Sequence, residues 1–307
     1  MEKERLEENE IYDVIIVGAG PAGLTAGLYA SRGNLKTLIL EKTGIGTMLM
    51  THRVDNYPGF KSGSTGEEIY NFMKAQALEF GCEIKPATVL GFDPYEEIKI
   101  VKTDNGNFKT KYIVIATGIG KIGTKKLKGV SYCATCDGAF TRGRISSLVG
   151  KGDEIVEEAL FLTRFSKEVN IYLTTEELDC NENLKAAILE KENAKIITNC
   201  ELVEIKGNEE AVEELCLKVN GVERIVKTDF VFLYLGTKTN LELFGEFTEI
   251  SKSGCIITDE NMETRTKKMY AIGDIREKNI RQITTATSDG TIAATMILKD
   301  VLKAKKN

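Results

Sequence analysis

The chain carries one histidine, His52, and one Cys-x-x-Cys pair, too few donors in the usual spacings for a four-ligand zinc site. No apolar run approaches the roughly 20 residues that a membrane span requires. Charge of neither sign dominates: the net value of −5 argues against a general nucleic-acid binder and leaves only local basic patches open. Seven cysteines in 307 residues do not make a disulfide scaffold. Cys82, Cys180, Cys200, Cys216 and Cys255 are scattered singly and read as small buried hydrophobes of a reducing compartment. The segment Met1 to Glu10 is highly charged without an apolar stretch, so it reads as a flexible tail of a cytoplasmic protein and not as a signal peptide. The composition, 42% hydrophobic and 28% charged, is that of a globular chain with room for two domains.

The pair that is present lies in Ser131-Tyr132-Cys133-Ala134-Thr135-Cys136-Asp137-Gly138. At this spacing two cysteines close into a small disulfide ring or open to a dithiol, and one thiol usually has a lowered pKa that makes it a nucleophile for disulfide exchange. Asp137 is placed to accept or deliver the proton that such exchange moves.

Toward the N-terminus, Ile11 to Val17 reads as a buried parallel strand, and Gly18-Ala19-Gly20-Pro21-Ala22-Gly23 turns it into a helix over Leu24–Arg32. This is G-x-G-x-x-G in its required context: Gly18 for the tight turn, Gly20 for close approach of a pyrophosphate, Gly23 for helix packing. A second strand, Lys36 to Leu40, ends in Glu41, whose carboxylate suits the hydroxyls of an adenosine ribose and repels a 2′-phosphate, so FAD or NAD is expected and NADP is not. Further stretches select FAD. Tyr112 to Gly118 reads as a strand ending in the small-residue turn Ala116-Thr117-Gly118, and Met269 to Asp274 as another, ending in an acid suited to a ribityl hydroxyl. Arg281-Gln282-Ile283 then opens a helix to about Leu302, whose N-terminus favours an anionic reduced flavin.

Taken with Val54-Asp55-Asn56-Tyr57-Pro58-Gly59, these stretches resemble the low-molecular-weight thioredoxin reductases from Tyr12 to about Leu302. The resemblance implies an α/β fold of two Rossmann-like dinucleotide-binding domains, the second inserted into the first, in the manner of the class II pyridine-nucleotide disulfide oxidoreductases. The FAD domain is expected over residues 1–117 and 246–307, and the disulfide-carrying insert over 118–245. Implied too are a homodimer, flavin contacts that include Thr47, Thr51, Asn56 and Val89, and Cys133 and Cys136 alternating between the flavin and thioredoxin with Asp137 as the acid. Which cysteine attacks thioredoxin stays open.

The insert departs from the family. Ile145 to Val149 leads into Gly150-Lys151-Gly152-Asp153-Glu154-Ile155, with a branched residue where Gly or Ala is wanted and two acids at the helix start that should receive a pyrophosphate. Acids there suit the helix dipole but repel a bound dianion by on the order of 1 kcal/mol per close charge. The strand Val169–Leu173 should lead into an arginine-rich grip on a 2′-phosphate; instead there is no arginine or lysine from Thr174 to Asn183, and Glu176, Glu177 and Asp179 stand there. Leu173 occupies the position where a ribose-binding acid would favour NADH. Thr47 replaces an expected glutamine beside the flavin, and the proline usual before Asn240 is missing. His52 and Arg53 read as a solvated loop pair.

A flavin takes electrons singly and passes two to a disulfide, and a ferredoxin is an iron–sulfur donor that can lie well below a thioredoxin disulfide at about −270 mV. The sequence therefore resembles the ferredoxin-dependent flavin thioredoxin reductases, the branch without NADPH-binding motifs. Lys121, Lys125, Lys126 and Lys128, or Lys303, Lys305 and Lys306, are candidate docking lysines, with a plain solvated surface as the other reading. Two alternatives stay open: an NAD(P)H-dependent thioredoxin-disulfide reductase with an atypical nucleotide site, and a flavin electron-transfer or redox-sensing module with a partner other than thioredoxin. A peroxide-reductase flavoprotein would call for an additional N-terminal disulfide domain for which this length leaves no space.

Overall fold

The computed structural model describes residues 10–42, 46–49, 51–121, 127–208, 211–235, 237–238 and 243–304. The charged tail before Glu10, Lys125, Lys126, Asn240, Lys305 and Lys306 lie outside them. The chain divides into two compact units, Met1–Gly120 with Thr239–Asn307, and Lys121–Lys238.

In the first unit, β1 (Ile11–Val17) is apolar almost without interruption because both of its faces are covered. Val14 and Ile16 enter one core, Ile15 and Val17 the other. The turn feeds α1 (Pro21–Arg32), with Gly20 at the N-cap and proline in the first turn, where its missing N–H costs nothing. The helix therefore begins three residues before the expected Leu24. Next come β2 (Thr37–Glu41), α2 (Gly66–Glu79), β3 (Glu83–Pro86), β4 (Val89–Asp93), β5 (Lys99–Thr103) and β6 (Gly106–Ile115). A reciprocal capping box between Thr65 and Glu68 starts α2, an arrangement that contributes about 1 kcal/mol. Strands β3, β2, β1 and β6 run parallel in that order, and β5 and β4 extend the sheet antiparallel.

The chain leaves this unit through β7 (Gly120–Lys121). The second unit contains β8 (Val130–Ser131), the short helix α3 (Ala134–Asp137), a 3-10 turn over Gly138–Thr141, β9 (Ile145–Gly150), α4 (Gly152–Leu162), β10 (Glu168–Leu173), α5 (Glu182–Leu189) and β11 (Ala194–Ile197). Three further strands, β12 (Cys200–Gly207), β13 (Val212–Val219) and β14 (Val222–Lys227), form an antiparallel sheet. With β15 (Phe230–Tyr234) the chain completes a parallel sheet of order β11-β10-β9-β15-β8. Leu148 faces the core under α4, Val149 the core under β12 to β14. Ile155, the branched residue of the glycine turn, is fully buried in the α4 core, so the fold has made room for it. The chain exits through β16 (Thr237–Lys238), which pairs with β7.

Back in the first unit, β17 (Glu249–Ile250) and β18 (Ile256–Ile257) make a small hairpin, β19 (Met269–Ala271) pairs in parallel with β6, and α6 (Ile283–Ala304) closes the chain. The strand expected to run to Asp274 stops at Ala271, because Gly273 turns left-handed (φ +74°) and opens a 3-10 turn over Gly273–Ile275. Helices α1 and α6 touch backbone to backbone: a Cβ at Gly290 would stand 2.4 Å from Ala22 O. Among the described residues no helix is long and apolar enough to cross a membrane.

Candidate active site: a dinucleotide cradle and a redox disulfide

The glycines of the first turn divide by what surrounds them. Gly18 has φ +111°, and a Cβ there would lie 2.4 Å from Ala116 O; one at Gly23 would lie 2.0 Å from Gly18 O. Both are demanded by the chain itself. A Cβ at Gly20 would meet nothing within 4 Å, and Gly20 caps α1 with no side-chain hydrogen bond, so the chain leaves open space beside the start of the helix. That is the form of a cradle for a pyrophosphate. Ala19 and Ala22 are buried in the wall behind it.

Glu41 ends β2, where its carboxylate accepts from Tyr70 Oη and from Lys74 Nζ at 3.0 Å. Two of about four lone-pair sites are thereby used, which orients the acid and leaves acceptors for ribose hydroxyls. Burial, with the Glu41 carboxylate second, pushes the Tyr70 phenol up, so it stays a donor. Lys74 is a cation beside Glu41 that the sequence reading did not include.

The later candidates gather around two turns. Ala116 is buried behind Gly18, Thr117 is exposed, and Gly118 is left-handed (φ +63°) with open space where a side chain would be. Gly273 packs against Ala22, a Cβ there falling 2.9 Å from Ala22 Cβ, so the turn holding Asp274 lies beside the start of α1. At the start of α6 the Asn56 amide donates to Gln282 Oε1 at 3.0 Å. Ile283, the next residue, packs on the core of this face. Thr51 Oγ1 donates to Thr47 O at 2.9 Å, closing the loop before α2. Val89 is half-buried against the other core. Arg281 donates to Cys255 Sγ at 3.3 Å, while its Nε is buried with no hydrogen-bond partner. An orphaned donor, and a glycine facing space that no residue of the chain fills, both fit a bound group that brings acceptors close to the backbone.

Asp289 was missed in the sequence. It is buried in α6 and accepts from Gly273 N at 3.0 Å, Lys278 Nζ at 2.6 Å and Arg276 Nη1 at 3.3 Å, fastening the Gly273 turn to the helix. The available signal was an acid in line with Ala286, Ala293 and Ile297, the buried stripe of α6.

In the second unit Cys133 and Cys136 are joined as a disulfide, Cα to Cα 5.3 Å. Cys133 is the N-cap of α3, and its Sγ accepts the Cys136 N–H at 3.1 Å. Ser131 Oγ donates to Asp137 Oδ2 at 2.5 Å and accepts the Cys133 N–H at 3.2 Å, so the acid after the pair is held by the strand before it. Beneath the turn lies Glu158 of α4. Its Oε2 accepts the N–H of Ala134 at 2.6 Å and of Thr135 at 3.2 Å, and the Tyr234 hydroxyl at 3.2 Å. Burial pushes this carboxyl above the usual carboxylate range, against those hydrogen bonds. Glu158 and Tyr234 also escaped the sequence reading, although Glu158 stands three residues after Ile155 and four before Leu162, both buried.

The glycine turn after β9 is arranged differently from the one after β1. Gly152 is left-handed (φ +77°), Asp153 and Glu154 occupy the first turn of α4, and Asp153 Oδ1 accepts the Asn181 N–H at 2.7 Å. Lys151 is exposed, Leu173 is buried in the sheet core, and Glu176, Glu177 and Asp179 are exposed on the loop that follows.

A family model for pyridine nucleotide-disulphide oxidoreductases matches residues 12–290. Thioredoxin reductase of Bacillus subtilis (strain 168) is 41% identical, over 98% of this chain and all (100%) of that protein. The 34.2 kDa protein in the rubredoxin operon of Clostridium pasteurianum is 37% identical, over 96% of this chain and 98% of its own. The crystal structure of thioredoxin reductase from Streptococcus pyogenes MGAS5005 superposes with a TM-score of 0.89 at 33% identity, covering 96% of this chain and 100% of that one. Similarity at this level over nearly the whole length makes the chain a member of the pyridine nucleotide-disulphide oxidoreductase family, of its FAD-binding thioredoxin reductase group.

Proposed function

We propose that this protein is a cytoplasmic, homodimeric thioredoxin reductase that takes its electrons from a ferredoxin and not from NADPH. The observation that supports the donor assignment is the acidic surround of the β9–α4 turn. Asp153 and Glu154 stand where a pyrophosphate would lie, and Asp153 is already engaged by the Asn181 N–H at 2.7 Å. Glu176, Glu177 and Asp179 stand where a 2′-phosphate needs cations. Each close carboxylate opposes a dianion by on the order of 1 kcal/mol or more near a protein surface. Exposed Lys151 offsets only part of that.

The Gly18–Gly23 turn and Glu41 would hold the adenosine and pyrophosphate portion of FAD. Thr47, Thr51, Asn56, Val89, the Ala116–Gly118 turn, Gly273, Asp274 and the Arg281–Ile283 segment would serve the remainder. When bound, FAD supplies the conversion of single-electron delivery into the two-electron reduction of a disulfide. The Cys133–Cys136 bond opens with two electrons and two protons, and the dithiol passes both pairs to the disulfide of a thioredoxin. Asp137, held by Ser131, carries the proton at the departing sulfur.

Anaerobic titration tests the reading. Reduced ferredoxin is expected to bleach the flavin and, with oxidised thioredoxin present, to yield thioredoxin dithiol, while micromolar NADPH leaves the flavin spectrum unchanged. Rapid bleaching by NADPH at that level overturns the donor; bleaching by ferredoxin without thioredoxin turnover overturns the substrate.

A further inference from the structure

The backbone N–H groups at the start of a Cys-x-x-Cys turn are the natural partners of a thiolate formed on its first cysteine. In this chain two of them are taken. Glu158 Oε2 accepts from Ala134 at 2.6 Å and from Thr135 at 3.2 Å, while Cys133 Sγ accepts the Cys136 N–H at 3.1 Å. The Tyr234 hydroxyl donates to the same oxygen at 3.2 Å, so three donors converge on one carboxylate oxygen directly behind the redox pair. A carboxylate in that place does two things. It clamps the turn, and it sets a negative charge one peptide away from any thiolate that forms.

We propose that Glu158 is a positioning residue whose charge disfavours the thiolate of the Cys133–Cys136 dithiol and thereby keeps that dithiol strongly reducing. Destabilising the anionic reduced form is the converse of what makes a disulfide strongly oxidising, namely a stabilised reduced form. Two other titratable groups bear on Glu158: Glu154 one turn earlier on α4 and Tyr234 on β15. Burial raises the Glu158 carboxyl, with Glu154 adding to the shift, and burial together with Glu158 keeps the Tyr234 phenol protonated. The inference rests on Cys133 and Cys136 being the working pair and is independent of the electron donor.

Glu158→Gln keeps a carbonyl acceptor for the two amides and removes the charge. The purified flavoprotein is equilibrated with reduced and oxidised dithiothreitol, so that protein disulfide plus reduced reagent yields protein dithiol plus the cyclic oxidised reagent, and free thiols are trapped by alkylation and counted by mass. The variant is expected to shift this equilibrium about tenfold toward the dithiol, about 30 mV. The pH profile of thiol alkylation is expected to move to lower pH. Tyr234→Phe deletes a hydrogen bond but no charge and is expected to stay within about twofold of the parent. An equilibrium and profile unmoved by Glu158→Gln overturn the proposal, as does a Tyr234→Phe shift of equal size. If the glutamine variant does not fold, Glu158→Asp, which withdraws the charge by one methylene, is read instead: a smaller shift in the same direction supports the proposal, and none overturns it. Neither ferredoxin nor thioredoxin enters the assay, so its failure is separable from failure of the proposed function.

Discussion

Asn56 and Gln282 meet side chain to side chain at 3.0 Å although 226 residues separate them in the chain. The pair ties the segment before α2 to the first residues of α6. Both residues are proposed flavin contacts, so the bond orders two of them at once. Asn56→Ala and Gln282→Ala are each expected to weaken FAD retention by about 0.5–1.5 kcal/mol, with the double variant costing less than the sum. Flavin release followed by absorbance and fluorescence checks this; full additivity would show that the bond has no role in holding the cofactor.

The glycines of the first turn separate folding from cofactor binding. Gly18→Ala forces a side chain into a left-handed residue and against Ala116 O, so the protein itself is expected to lose stability, by about 1–3 kcal/mol from backbone strain alone. Gly20→Val fills open space, and the apoprotein is expected to keep its thermal midpoint while losing FAD. Calorimetry of the apoprotein beside the flavin-to-protein absorbance ratio distinguishes the two.

Asp137 has a position and a partner suited to proton transfer. Asp137→Asn is expected to leave the fold and the flavin content unchanged and to slow reduction of a thioredoxin disulfide by about 10²–10⁴-fold. Stopped-flow kinetics with pre-reduced enzyme measures it. A loss of less than twofold would assign the Ser131–Asp137 bond to turn structure only.

Asp289 is a buried acid held by two half-buried cations and a backbone N–H. Removing it strands Lys278 and Arg276, so Asp289→Ala is expected to cost about 3–5 kcal/mol. Thermal unfolding of apo and FAD-loaded protein measures the loss, which is expected in both because the acid fastens the Gly273 turn to α6.

Glu158 also predicts a pH dependence of stability. Burial raises its carboxyl above the value of 4.5 that it has in an open chain, so between that value and its folded one the native unit binds more protons than the unfolded chain. Its contribution is therefore complete below 4.5 and is lost as pH rises through the raised value. Urea midpoints measured across this window are expected to fall more steeply for the parent than for Glu158→Gln.

The parts of the molecule visible in the residues were those whose requirement is local. The β1 run, the Gly18–Gly23 turn, the register of Glu41 and the Cys133–Cys136 spacing are each dictated within a few neighbours. The end of β19 was misjudged by three residues, because Ile272 and Gly273 continue an apolar run and only the left-handed backbone at Gly273 breaks it. The roles of Lys74, Glu158, Tyr234 and Asp289 were not legible for the opposite reason: each matters through a partner brought near by folding, at separations of 33, 24, 100 and 16 residues, even where the periodicity of α4 and α6 placed Glu158 and Asp289 on a buried stripe.

The order of residues alone thus determined a flavin-type cradle, a two-sulfur centre and a second glycine turn lined with acids, because steric demands on a turn and the charge of a loop are written in adjacent positions. Only the tertiary structure decided which carboxylates stand free and which are engaged. Asp153 is engaged by the Asn181 amide, Glu41 is oriented by Tyr70 and Lys74 with acceptors to spare, and Glu158 is engaged by the turn that carries the disulfide. Desolvation and hydrogen bonding belong to surfaces that the chain brings together across long distances, and a list of residues does not contain those surfaces.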